Sequence, residues 1–277
     1  IPDVQLAIVD YQDLVPEPFS VACIQRLLAS SPIAQCTSSQ FMAAPESFLK
    51  QKKTALRRVR RLPPKRTIAF TSYSGGTGKT SLALDTALRF ANQTQITCPI
   101  PCAFFEFTYG VSALDTMLGV SKPSLSELIT QHDLEPSEYQ GVSLYPMDYD
   151  QVRQIAAKSI EPVAYYCRQQ VGQHILTVID TMWPHGLVSS IASQVDLWIV
   201  LTTPRIDAVE NARKLRQELA VEFGDSRAII AVNQAGGLGT MLPLMGVPRT
   251  LQFPRIRQSH TLFNGRLGNQ VLRYLYG

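Results

Sequence analysis

Cysteine is scarce in this chain, and its placement is uninformative. Five cysteines stand at positions 23, 36, 98, 102 and 167 of 277 residues. An odd, scattered set excludes a disulfide framework and fits a reducing, cytoplasmic setting. Cys98 and Cys102 are four apart around Pro-Ile-Pro, but no further ligands follow them, so they read as buried, inert thiols. The four histidines, His132, His174, His185 and His260, lack metal-ligand spacing. No Ser/His/Asp or Cys/His arrangement for nucleophilic catalysis is suggested. No apolar run reaches the roughly 18–20 residues of a membrane span. Internal repeats and low-complexity tracts are missing as well. The chain opens on Ile1 with no signal peptide before it, so we expect a fragment with sequence missing upstream.

What is present is the composition of a soluble globular protein, 45% hydrophobic and 17% charged. The length suits one large α/β domain, or one domain and a small appendage. The net charge of +4 gathers in residues 50–66, KQKKTALRRVRRLPPKR, and leaves the remainder near balance. A general nucleic-acid binder spreads basic residues over a face. This segment reads as a basic helix opened by Pro45 and broken at Pro63-Pro64, where we place a domain boundary. Its charges suit either DNA or anionic lipid, or the solvated outer face of a linker helix. Before it, residues 4–10 read as a short buried strand and residues 19–30 as a helix.

After the boundary the pattern alternates. Strands are expected at 66–72, 102–108, 142–147, 174–180, 197–203 and 227–234, with one more towards the end. Helices are expected at 79–92, around 113–118, around 124–129, at 148–171, near 187–194, at 206–223 and at the C-terminus. Nearly continuous apolar strands between helices predict a doubly wound, mostly parallel sheet covered on both faces.

Residues 72–81, SYSGGTGKTS, fall between the first of these strands and its helix. That is the context of a phosphate-binding loop. Gly75, Gly76 and Gly78 let backbone N–H groups close around phosphate oxygens, and the helix N-terminus adds positive potential. Ser74, Thr77 and Ser81 complete the loop. Lys79 is placed to reach the β and γ phosphates of ATP, and Thr80 to hold Mg²⁺ through its hydroxyl. The plain alternative is a glycine turn between strand and helix. The general pattern G-x-x-x-x-G-K-[ST] asks for glycine at position 73, and Tyr73 stands there.

What remains, SGGTGKT, resembles K-G-G-x-G-K-T, the variant loop of the MinD/ParA family. The resemblance continues through FEFTYGVSALDTMLG (105–119), Asp180 in LTVIDT, Asn233 in IIAVNQ, and Pro254 followed by Asn264-Gly265. It covers residues 67–270. It implies a Rossmann-like three-layer fold, ATP and Mg²⁺ as cofactors, and a homodimer. Asp180 becomes the carboxylate behind Mg²⁺, its alternative being a cap on the next helix. Asn233 becomes the adenine reader, its alternative a turn-forming asparagine. Within the family the chain is most similar to the TadZ/CpaE branch of pilus assembly, whose members carry a receiver-like domain ahead of the ATPase-like one. Residues 1–62 then read as a receiver-like remnant or linker, and residues 63–277 as the P-loop domain. The branch implies pilus and secretion-machinery partners, recruitment to a pole or the inner membrane face, and at most peripheral contact with membrane.

Two departures from the family bear on hydrolysis. Ser74 stands where the family's extra lysine crosses to the partner's nucleotide. Thr108 stands where the family's second aspartate orients the attacking water. Losing a positioned general base costs ~10²–10⁴ in rate, and losing a charge on the transferred phosphoryl group costs comparably. Glu106, on the family's first aspartate, is the remaining carboxylate besides Asp180. It either holds a Mg²⁺-bound water as a catalytic group beside Lys79, or only supports the metal shell or the loop. The expectation is an ATP–Mg²⁺-stabilised switch or scaffold with weak hydrolysis. The alternatives are a ParA-type DNA or plasmid-partition ATPase and a metabolic ligase using ATP. Trp183, Pro184 and His185 read either as dimer face or as loop packing. The final residues, NGRLGNQVLRYLYG, read either as a membrane-targeting helix or as a docked last helix.

Overall fold

The computed structural model describes residues 6–8, 34–36, 42, 63–95, 101–131, 133–235, 250–254 and 266–276. The helices expected at 19–30 and 50–61, Cys98 and Asn264-Gly265 lie outside the described residues. The chain divides into two compact units, Ile1–Pro63 with Thr94–Ile100, and Pro64–Gln93 with Pro101–Gly277. In the first, β1 (Leu6–Ile8) and β2 (Ala34–Cys36) form a parallel pair.

Among the described residues, the second unit is built on a sheet of eight strands. In chain order these are β3 (Arg66–Thr71), β4 (Cys102–Phe107), β5 (Ser137–Tyr139), β6 (Val142–Tyr145), β7 (Leu176–Thr181), β8 (Leu197–Thr202), β9 (Ala228–Ala235) and β10 (Thr250–Pro254). The order across the sheet is β10-β9-β8-β3-β7-β4-β6-β5. Every pairing is parallel except β5 with β6. Strands β4, β7 and β8 are buried along their whole length. This is the signature of parallel strands covered on both faces, and it explains their nearly continuous apolar runs.

Eight helices are described: α1 (Lys79–Gln95), α2 (Ala113–Leu118), α3 (Leu125–Thr130), α4 (Tyr149–Lys158), α5 (Glu161–Gln173), α6 (Gly186–Ser189), α7 (Ile206–Phe223) and α8 (Arg266–Tyr276). Alternation along each strand divides the side chains between two layers. Ala69, Phe105, Ile179 and Trp198 point to one layer, where Val163 and Val171 of α5 and Val209, Leu215 and Leu219 of α7 complete a continuous core. In that layer Trp198 lies 5.0 Å from Trp183 and 5.3 Å from Phe223, centroid to centroid. Their neighbours on each strand point to the opposite layer, and Leu82, Ala83, Ala87 and Leu88 of α1 are buried. The Cys102 thiol meets the Ala87 carbonyl on that side at 3.7 Å.

Helix α8 docks on α1. The Gly268 N–H donates to the Asp85 carboxylate at 2.8 Å, and Phe90 stacks with Tyr276 at 5.9 Å. A Cβ at Gly268 would lie 2.6 Å from the Asp85 carbonyl oxygen, so the two backbones touch only because this residue has none.

Two expectations need correction. The helix expected at 148–171 is two helices, broken at Ser159-Ile160, with Pro162 in the first turn of α5. Proline has no N–H to continue a preceding helix but fits the start of a new one. Strand β5 was not expected at all. It joins β6 through the two-residue turn Gln140-Gly141, both at positive φ (50° and 82°), as hairpin turns of this length require. Among the described residues no helix is long and apolar enough to cross a membrane.

Candidate functional site

Strand β3 delivers residues 72–78 to the carboxyl edge of the sheet, where ligands bind in open α/β folds. The loop is tied from inside. The Ser72 hydroxyl donates to the Ser74 carbonyl at 2.8 Å and accepts from the Thr77 hydroxyl at 3.3 Å. Gly75 and Gly76 are exposed, Ser74 and Ser81 are half-buried, and Thr77 is buried. Gly78 holds φ +81°, and a Cβ there would meet Nδ2 of Asn233 at 2.4 Å. That amide donates to the Thr77 carbonyl at 2.8 Å. Asn233 thus grips the loop from β9, two strands away from β3. Its Oδ1 accepts from the Gln234 N–H at 2.9 Å. Pro254 ends β10 at the same edge, opposite Ala235.

Asp180 organises the far side of the loop. It sits near the end of β7, completely buried and beside β3. One carboxylate oxygen takes the Lys79 ammonium and the other the Thr80 hydroxyl. The first two residues of α1 and the aspartate near the end of β7 therefore form one cluster. Thr80 and Asp180 offer hard oxygen donors. They fit Mg²⁺, which binds through one or two protein oxygens together with phosphates and water. Among the described residues no group of three or more His, Cys, Asp or Glu side chains could hold a metal by itself.

Glu106 pairs in register with Asp180 on the neighbouring strand, on the same face. It is fully buried, and both of its oxygens are engaged. One accepts from the Ser112 hydroxyl, the other from the Ala113 N–H at 2.6 Å. Glu106 and Ser112 together close the start of α2. Burial pushes the Glu106 carboxyl above the usual range, and the charge of Asp180 adds to this. Hydrogen bonds from Ser112 and the backbone of Ala113 and Met147 oppose it. The Thr108 hydroxyl is buried without a hydrogen-bond partner among the described residues.

Three features escaped the sequence. Tyr73 donates its hydroxyl to Glu218 of α7, and burial with that partner raises the phenol to about 12. Tyr73 thus ties the loop to α7, where the general motif has no side chain to do so. Ser72 and Ser112 are small linking hydroxyls with no spacing signal to reveal them. The third is the pairing of the Tyr109 ring with His185 at 4.7 Å; Trp183 and His185 are buried, in keeping with the loop-packing alternative, whereas Pro184 between them is exposed.

A glycine-rich loop after a central strand, a lysine opening the next helix and an aspartate near a strand end, on one mostly parallel sheet, define a P-loop α/β fold of the three-layer, MinD/ParA-like kind. Solved structures share it. A ParA family ATPase from Chlorobium tepidum TLS superposes with a TM-score of 0.58 at 18% identity, over 76% of this chain and 93% of that one. MinD from Pyrococcus horikoshii OT3, complexed with Mg-ADP, gives 0.56 at 16% identity, over 76% and 94%. A McdA variant from Cyanothece in complex with ATP gives 0.52 at 16% identity, over 76% and 91%. At such identity the likeness is one of fold. No family model matches the chain, and no curated protein matches its sequence.

Proposed function

We propose that residues 63–277 bind ATP–Mg²⁺ and act as a nucleotide-stabilised positioning switch of the MinD/ParA kind, with residues 1–62 as a receiver-like remnant or linker. The observation that carries this reading is the single cluster of Lys79, Thr80 and Asp180 under the glycine loop. Bound Mg²⁺ would neutralise phosphate charge. Thr80 and Asp180 would hold it, Lys79 would meet the β and γ phosphates, and backbone N–H groups from Gly75 to Lys79 would surround them. Asn233 and Pro254 would flank the base.

Weak hydrolysis is part of the reading. Glu106 spends both oxygens on α2, Thr108 supplies no carboxylate, and Ser74 supplies no charge for a partner's nucleotide. The exposed apolar side chains of Tyr73, Val111, Met182 and Ile206 follow β3, β4, β7 and β8 at the loop edge of the sheet. Such a rim favours a second copy of the chain seated across the nucleotide. Nucleotide would then act by adding contacts in one state only. The motif likeness to TadZ/CpaE favours pilus and secretion-machinery partners, and recruitment from the cytoplasm to a pole or the inner membrane face.

The experiment is ATP binding and turnover on one purified sample, with Lys79→Ala as control. Mg²⁺-dependent binding with turnover no faster than the control is expected. Fast turnover lost in Lys79→Ala would refute weak hydrolysis and favour the partition-ATPase reading. A salt-sensitive shift of nonspecific DNA would add to that second reading. Absence of binding would refute the nucleotide switch.

A further inference from the structure

A cleft of about 360 Å³ opens beside α4 and α6, walled by Tyr109, Tyr149, Arg153, Ile160, His185 and Leu187. Its aromatic side is ordered. The Tyr109 ring meets Tyr149 edge-on at 4.8 Å and lies tilted by 33° over His185 at 4.7 Å. His185 is 1% exposed, yet neither of its ring nitrogens has a hydrogen-bond partner among the described residues. Buried polar groups are nearly always paired, so two orphan nitrogens on one ring are a strong local exception. Burial pushes this imidazole down to about 4, which keeps it neutral near pH 7 with one N–H to give and one lone pair to accept. Arg153 brings positive charge to the wall, and no carboxylate is among the lining residues.

We propose that this cleft binds a small planar aromatic acid, its ring against Tyr109, Tyr149, Ile160 and Leu187 and its carboxylate between Arg153 and the His185 N–H. The volume is that of a small-molecule site, and the lining matches one: mostly apolar, with few convergent polar groups. Aromatic walls favour a flat ring through stacked or edge contacts. The polar side offers donors and positive charge, so the matching group is an anion rather than a cation. Tyr109 covers His185 from the solvent side: it is 49% exposed and is followed by Gly110 at φ +90°, and it is the wall that must give way for a carboxylate to reach the imidazole nitrogens. Tyr109 follows Glu106 by three residues and His185 follows Asp180 by five, so the cleft shares two loops with the phosphate site.

The test uses the full chain with ¹³C-labelled histidine, titrated with indole-3-acetate and, separately, with uncharged 3-methylindole. Four histidines give four ring signals, and His185→Gln identifies one by its loss. Indole-3-acetate is expected to shift the His185 signal saturably and to bind more tightly than 3-methylindole. Arg153→Gln should weaken binding about threefold, as loss of an exposed charge pair does. Tyr109→Ala should weaken it about tenfold. Arg153 is exposed, so its variant keeps the fold, and the other three histidine signals report on that. The proposal is overturned by no saturable shift, by equal affinity for the two indoles, or by unchanged affinity in both variants. Nucleotide is left out throughout, so the result stands apart from the ATP reading.

Discussion

Gly78→Ala measures how the phosphate loop is held. Gly78 sits at φ +81°, where a Cβ costs about 1–2 kcal/mol. Stiffening of the unfolded chain takes a further 0.4–1 kcal/mol or so from its stability and offsets part of that strain. The new Cβ would also stand 2.4 Å from Nδ2 of Asn233, so the amide must leave the Thr77 carbonyl. A lost hydrogen bond of this kind adds about 1 kcal/mol. The net expectation is a loss of about 2 kcal/mol in urea unfolding of the nucleotide-free chain. In an Asn233→Ala background both the collision and the hydrogen bond are already gone. There the same change should cost about 1 kcal/mol or less, a coupling of about 1 kcal/mol between the sites. Equal costs in the two backgrounds would refute the idea that Asn233 grips the loop.

Asp180→Ala strands the Lys79 ammonium at a nearly buried position, so it should cost about 3 kcal/mol and abolish any Mg²⁺ dependence of nucleotide binding, both read by melting with and without the metal. His185, held at about 4 against the usual 6.5, refuses in the folded chain a proton that the unfolded chain takes. Its stabilising contribution is therefore full above pH 6.5 and is lost as pH falls towards 4, by up to about 3 kcal/mol, and His185→Leu should flatten that loss in denaturation curves at pH 7 and 4.5. A parallel loss in both proteins would contradict the assignment. Gly268→Ala forces a Cβ against the backbone of α1 and should lower stability by about 1–3 kcal/mol despite its better helix propensity, with faster amide exchange confined to α8 and its contacts.

Much of the fold is legible in the sequence. The runs of β3, β4, β7 and β8 are nearly continuously apolar because both faces of each strand are covered, and such runs are easy to read. Lys79 and Thr80 are legible because a strand followed by a glycine loop fixes where the helix must begin, and Asp180 because it matches the strand-end landmark of the MinD/ParA resemblance. The division of α4 from α5 was written in Pro162 but masked by apolar spacing that continues across the break. Strand β5 carries three residues and a Gln-Gly turn, weaker than the Asn-Gly pair that marks such hairpins, and so passed as loop. The engagement of Glu106 with Ser112 and Ala113 and the burial of His185 depend on tertiary neighbours, which spacing along the chain does not encode.

Among the described residues, the two ends of the large sheet bear on how this protein behaves in a crowded tube. One outer strand, β5, has three residues and runs against its neighbour. At the other, β10 finishes on an exposed proline that has no N–H to give. Short and proline-ended margins offer an incoming strand little to pair with. A concentrated stock of the folded chain should accordingly resist ordered fibre growth from these margins, and precipitate during storage should track the fraction unfolded rather than the total concentration.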